Sequence, residues 1–197
     1  MKSYAIYNIT TGQILYIHRT EVEPPDITLG DGESYEEVPF TVFGNTHYMN
    51  ESREPVVIPT KPKESYWTWS WTAKDWVDSR SLEQHKDDKW QSIKLTRYAK
   101  LSEPLSTPYG TFDADQDSQQ NIYHSLQYLQ ENGSTTTTVV FTLNDNSTAT
   151  FTSVELSDVV VLLGERSEDI YATSRTLRTN IYAATTSTDV ESITWPI

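Results

Sequence analysis

The sequence predicts an α+β protein: a small N-terminal β module, a proline-rich connector, and a C-terminal helical domain with two β-hairpins and a long terminal helix. Three observations lead there. Residues 152–184 contain no proline and repeat apolar side chains at helical spacing. The chain before residue 50 holds short β-rich runs separated by glycine turns. Pro55, Pro59 and Pro62 then punctuate the sequence between these regions. The predicted parts are residues 1–62 as a β adaptor module, 63–78 as a Trp-rich linker and 79–197 as an α+β domain.

In the first part, Tyr4-Ala5-Ile6-Tyr7 and Gln13–Ile17 flank the loop Asn8–Gly12, which predicts a hairpin. Pro24-Pro25 breaks the chain, and Gly30-Asp31-Gly32 marks a second turn. Val38–Phe43 is a further predicted strand, with Gly44-Asn45 turning it into Thr46–Met49. The prolines make Glu54–Pro62 an extended connector.

Tyr66, Trp67, Trp69, Trp71 and Trp76 fall within eleven residues. In an extended strand Trp67, Trp69 and Trp71 share one face. Two readings follow. The indoles cover a hydrophobic surface, of this domain or of a neighbouring subunit. Alternatively they form a platform for the C–H faces of pyranose rings, as in recognition of a cell-surface glycan. Sugar recognition also needs amide and carboxylate partners, which the sequence does not locate.

From Ala73 to Leu101 the pattern predicts a helix, with Trp76, Leu82, Trp90, Ile93, Leu95 and Tyr98 among charged residues. Asp87-Asp88 precede Lys94, Arg97 and Lys100, the order the helix dipole favours. Pro104 and Pro108 end this helix. Leu105–Phe112 predicts a tight hairpin. Ser118–Gln130 predicts a second helix with Ile122, Tyr123, Leu126 and Leu129 on one face, stopped by Asn132-Gly133 with glycine as a left-handed cap. Thr137–Leu143 and Ser147–Phe151 form a hairpin around Asn144–Asn146.

Thr152 lies three residues before Glu155, a capping box that opens the long helix. Leu156, Val160, Leu163, Ile170, Leu177, Ile181 and Ala184 line one stripe. At ~1.5 Å per residue the helix is ~45 Å long. It needs a partner along its length, from the same chain or from another copy. Ser167 and Ser174 interrupt the seam, which favours a bundle or assembly helix over a strict zipper. Gly164 marks a kink or a close helix crossing. Thr185 and Thr186 end the helix, and Ser187–Ile193 forms one short turn. The candidate interface residues are Trp67, Trp69, Trp71 and Trp76 with Leu156, Leu163, Ile170, Leu177 and Ile181.

The net charge of −13 repels phosphate backbones and anionic lipid, which argues against nucleic-acid or membrane partners. No run of apolar residues is long enough to span a bilayer, and the N-terminus lacks the apolar core of a secretory signal. Synthesis in the cytoplasm is expected. Without cysteine there are no disulfides or thiolate metal sites. Asp113, Asp115 and Asp117 match the opening of a calcium loop, but Ser118 stands where glycine is needed and His124 where a bidentate Glu is needed. They read better as helix N-capping groups. His18, His47, His85 and His124 have no ligand spacing. No nucleophile elbow, zinc-protease motif or phosphate-binding loop is present. The expectation is a protein that is not an enzyme, with no cofactor and no metal.

An ordered set of short motifs carries a resemblance. A charged helix ends in Arg97-Tyr98-Ala99-Lys100. Tyr109–Asp115, Ser118–Ile122, Phe141–Asn146 and Thr152–Leu156 follow, and a long helix closes on Leu177–Ile181. From about Trp76 to its end the chain resembles a phage-encoded domain family of unassigned function, DUF4376. Residues 1–62, with their YAIYN start, TGQI and GDGES turn, look like the leader modules of phage tail-fibre-associated proteins. Family members commonly lie among tail-fibre and baseplate genes. The resemblance therefore implies a structural component of a bacteriophage tail, located in the virion, whose partners are other tail or baseplate proteins. It implies homo-oligomers too, either trimers as in fibres or hexamer-related rings as in baseplates. The alternatives are a tail-fibre assembly chaperone absent from the mature particle and a glycan-binding receptor-recognition module. No catalytic residues come with the family.

Overall fold

A computed structural model describes residues 1–23, 25–132 and 137–196. The chain forms two compact units, Met1–Arg80 and Ser81–Ile197. Both are mixtures of short strands, turns and, in the second, helices.

In the first unit β1 (Lys2–Asn8) lies between β2 (Ile14–Thr20) and β3 (Glu33–Val38), antiparallel to both. Its central place explains its pattern: every residue from Ser3 to Tyr7 is buried, on both faces. Ala5, Tyr7 and Ile14 join Val38, Val42 and Met49 in the core. Two hairpins complete the unit. One pairs β4 (His47–Met49) with β5 (Pro55–Val57), the other β6 (Trp67–Ser70) with β7 (Asp75–Asp78).

Several expectations need correction here. The strand expected at Val38–Phe43 ends at Val38. Pro39 offers no N–H to a ladder, and the chain turns instead, with Val42 N–H donating to Pro39 O at 3.0 Å. The observed strand lies upstream, over the charged run Glu33–Val38. The connector Glu54–Pro62 contains β5, because Pro55 opens that strand opposite Met49, where a missing donor is tolerated. The linker at 63–78 is a folded hairpin within the first unit. The helix expected from Ala73 begins at Leu82, so Trp76 sits on a strand. Ser81 sets the start through a capping box: its Oγ accepts from Gln84 N–H at 3.2 Å, and Gln84 Oε1 accepts from Ser81 N–H at 2.7 Å. Pro24 and the glycine cap at Gly133 fall outside the described residues.

The second unit runs α1 (Leu82–Ser102), β8 (Leu105–Thr107), β9 (Gly110–Phe112), α2 (Gln116–Glu131), β10 (Val139–Thr142), β11 (Thr148–Phe151), α3 (Ser153–Ala183) and α4 (Ser187–Ser192). Both expected hairpins form. α3 is unbroken over 31 residues and starts at the predicted box, with Thr152 N–H donating to Glu155 Oε2 at 2.8 Å.

The cover for α3 comes from its own chain, in two stretches. Leu156, Val159 and Leu163 join Phe112, Ile122, Leu126, Leu129, Phe141 and Phe151 in the larger core. Leu177 and Ile181 pack with Ile93 of α1, and Trp90, Ile193 and Trp195 close over them. α1 runs antiparallel to α3: Lys86 Nζ donates to Tyr182 O near one end, and the Arg166 guanidinium donates to Leu101 O and Glu103 O near the other. Those two carbonyls lie at the C-terminus of α1, where a cation is favoured. Between the apolar stretches Ser174, 1% exposed, meets the Arg97 guanidinium at 3.5 Å. The seam serine foreseen as an interruption is thus a polar layer inside the unit. Val159 rather than Val160 is the fully buried residue of its turn. A Cβ on Gly164 would meet nothing within 4 Å, so no close crossing requires that glycine.

Candidate functional site

The tryptophan-rich hairpin lies in the first unit. β6 and β7 are joined by Trp71-Thr72-Ala73-Lys74, with no glycine among them. Lys74 itself takes the left-handed conformation at φ 56°, and its N–H donates to Ser70 O at 2.8 Å. That backbone costs an L-residue about 1 kcal/mol or more. Its consequence is the position of the ammonium: Nζ donates to Trp71 O at 2.6 Å and lies 5.3 Å from the Tyr48 ring centroid. Burial pushes the Lys74 pKa below the usual lysine value.

Trp69 is the hub of the aromatic cluster. Its ring centroid is 5.6 Å from that of Trp76, 6.2 Å from Trp71 and 5.8 Å from Tyr48. The two tryptophan pairs meet edge to face, the arrangement ring quadrupoles favour. Trp76 Nε1–H donates to Pro59 O at 2.8 Å, which ties the former connector to the hairpin. Trp67 belongs to a separate pair with Tyr66, 5.9 Å apart, and Arg80 stacks over the Tyr66 ring at 4.1 Å. The platform reading needs Trp67, Trp69 and Trp71 on one face. The strand ends at Ser70, so Trp71 lies in the loop and Trp67 pairs elsewhere. All four tryptophans are half-buried.

Beside the cluster a cleft of about 230 Å³ is lined by residues from three segments: Tyr7, Ile9, Thr10 and Gly12; Tyr48, Met49, Asn50 and Glu51; Thr72 and Lys74. Its shape depends on Gly12. There φ is +67°, and a Cβ would fall 2.1 Å from Met49 O and 2.9 Å from Lys74 Nζ. Gly12 N–H donates to Asn8 O at 2.7 Å, and Met49 N–H donates to Gly12 O at 2.8 Å, so the β1–β2 turn docks directly on β4. Sequence reasoning found the tryptophans and missed this cleft, since nothing local joins the three segments.

The other candidates lie within the second unit. Leu156 and Leu163 are in its larger core, Leu177 and Ile181 in its smaller one, and Ile170 is half-buried. Asp115 caps α2, accepting from Asp117 N–H and Ser118 N–H at 3.0 and 3.1 Å. The Ser118 hydroxyl, with those backbone bonds, holds its pKa below the usual value. Asp113 accepts from Asn144 Nδ2 at 2.6 Å. Among the described residues no group of three or more His, Asp and Glu side chains converges as a metal site. No described helix is long and apolar enough to cross a membrane.

A family model, "Domain of unknown function (DUF4376)", matches residues 84–194, more than half of the chain. No curated protein and no solved structure matches it. The chain belongs to the DUF4376 family.

Proposed function

We propose that this DUF4376-family chain is a structural adaptor of a bacteriophage tail, retained in the virion and joining or decorating fibre and baseplate. One observation supports this most. The long helix uses its apolar stripe inside its own unit, while the tryptophan hairpin of the first unit stays half-buried. Half-buried Trp and Tyr on a pre-formed hairpin suit a protein–protein contact, where rigid rings bury large area at low entropic cost. The likeness of residues 1–62 to tail-fibre leader modules points the same way. Partner contact therefore falls to Trp69, Trp71 and Trp76 more than to the α3 seam. The assembled form is a homo-oligomer, trimeric or related to a sixfold ring.

Mass spectrometry of purified particles tests the proposal. Peptides of this chain should be present in a fixed ratio to the major tail proteins. Their absence from particles, with the protein abundant in infected-cell lysate, overturns it and leaves the chaperone alternative. Light scattering on the purified chain tests the oligomer separately.

A further inference from the structure

We infer that the cleft between the β1–β2 turn, the β4–β5 turn and Lys74 is a binding site for one neutral pyranose unit. It goes beyond the adaptor proposal and does not depend on it.

The polar groups at the mouth are unspent. Among the described residues the Glu51 carboxylate and the Thr10 and Thr72 hydroxyls make no hydrogen bond or ion pair. Lys74 has one acceptor, Trp71 O, for its three ammonium protons, and no carboxylate within ion-pair distance. The Asn50 amide nitrogen reaches Glu54 Oε2 only at 3.4 Å. On the floor, Tyr7 is 4% exposed, and its hydroxyl makes no hydrogen bond among the described residues. That oxygen is not enclosed by protein, so it opens on the cleft, where it can give and accept a hydrogen bond.

Charge selects the ligand class. The cleft has one ammonium and one carboxylate, so it is neutral overall. An anion would meet Glu51 and the protein's net charge of −13, and a cation would meet Lys74. A ligand with many hydroxyls uses both, giving protons to the carboxylate and accepting them from the ammonium and the amide. Ile9 and Tyr48 supply the accessible apolar surface that the C–H faces of a sugar ring need. A volume of about 230 Å³ admits a single ring. The amide and carboxylate missing from a tryptophan platform are found here, one step away from it.

The test titrates the full chain with the methyl glycosides of glucose and galactose and with N-acetylglucosamine, observed by amide NMR, with sodium acetate as the anion control. At least one sugar should give saturable shifts at Thr10, Gly12, Asn50, Glu51 and Lys74, and acetate should give none. Glu51→Gln and Lys74→Gly should each weaken that binding about tenfold, the usual cost of losing a hydrogen bond to a charged group. Glycine suits the left-handed backbone at 74, so the second variant removes the ammonium without straining the turn. Glu51 is exposed, so the first variant keeps the fold if the second does not. No saturable shift with any of the sugars, the same shifts with acetate, or unchanged affinity in Glu51→Gln overturns the inference.

Discussion

Two aromatic assemblies hold this protein, and they differ in kind. In the second unit Phe112, Phe141 and Phe151 form a closed triangle with centroids 5.2 to 6.1 Å apart. Their exposures are 2%, 7% and 2%. No ring carries a polar atom, and nothing there needs a partner. In the first unit Tyr48, Trp69, Trp71 and Trp76 lie at similar spacings, yet they are half-buried and each carries an N–H or O–H. Trp69 Nε1 is buried with no acceptor among the described residues. Similar ring geometry thus serves two ends. Phenylalanine closes a core, while tryptophan and tyrosine build a surface that still has bonds to make.

The comparison predicts unequal costs of truncation. Phe112→Ala should be the most damaging change, about 3 to 5 kcal/mol, because a closed triangle cannot collapse onto the gap. Denaturant unfolding read by amide exchange in α2 and β10–β11 measures it. A loss below 1 kcal/mol would mean the triangle is loosely packed. Trp69→Ala should cost less, about 2 kcal/mol, since water already reaches part of the cluster. Exchange at β6–β7 reads that loss. If the tryptophan change proves the costlier of the two, the cluster is a core and the division drawn between the assemblies fails.

The same contrast explains what was legible beforehand. α3 announced itself, since its cap, stripe and end all depend on neighbours within a few residues of one another. The Phe-bearing hairpins were equally local. The tryptophan hairpin is hidden in the sequence because its turn lacks the usual marker: Lys74 adopts a positive φ that glycine usually signals. With no turn visible in the sequence, the helical pattern extends back over Trp76. Ser81 and Gln84 hold the correcting signal, a capping box that starts α1 five residues after Val77. Pro55 misled in another way, since proline is excluded from a strand's interior and not from its first residue. The cleft was beyond reach: its lining comes from residues 7–12, 48–51 and 72–74, and only tertiary contact brings them together.

Below both assemblies in expected size, and different in kind, stands the cap of α3. Thr152→Ala removes the acceptor for Glu155 N–H and should cost about 1 kcal/mol, seen as faster exchange in the first turn of α3. A wild-type exchange pattern in that turn would show that packing of Leu156 and Val159 alone fixes the helix start.

The smallest effect is a dependence on pH, and its sign follows from the same cap. Glu155 accepts from the Thr152 backbone and hydroxyl, which hold its folded pKa below the ordinary 4.5. A carboxylate whose pKa is lowered by folding contributes stability that is complete above its unfolded value. That contribution is lost as pH falls through the lowered folded value. Asp115, lowered by its bonds to Ser118 and Asp117, adds a second loss of the same sign in the second unit. Glu155→Gln should therefore make the second unit less stable near neutral pH and flatten its decline in acid. The first unit's hairpins, read at β6–β7, should keep the wild-type acid profile in that variant. An unaltered acid slope at α3 would show that the carboxylate is not held as the cap geometry requires. Acid sensitivity there would then have to come from Asp115 at the start of α2.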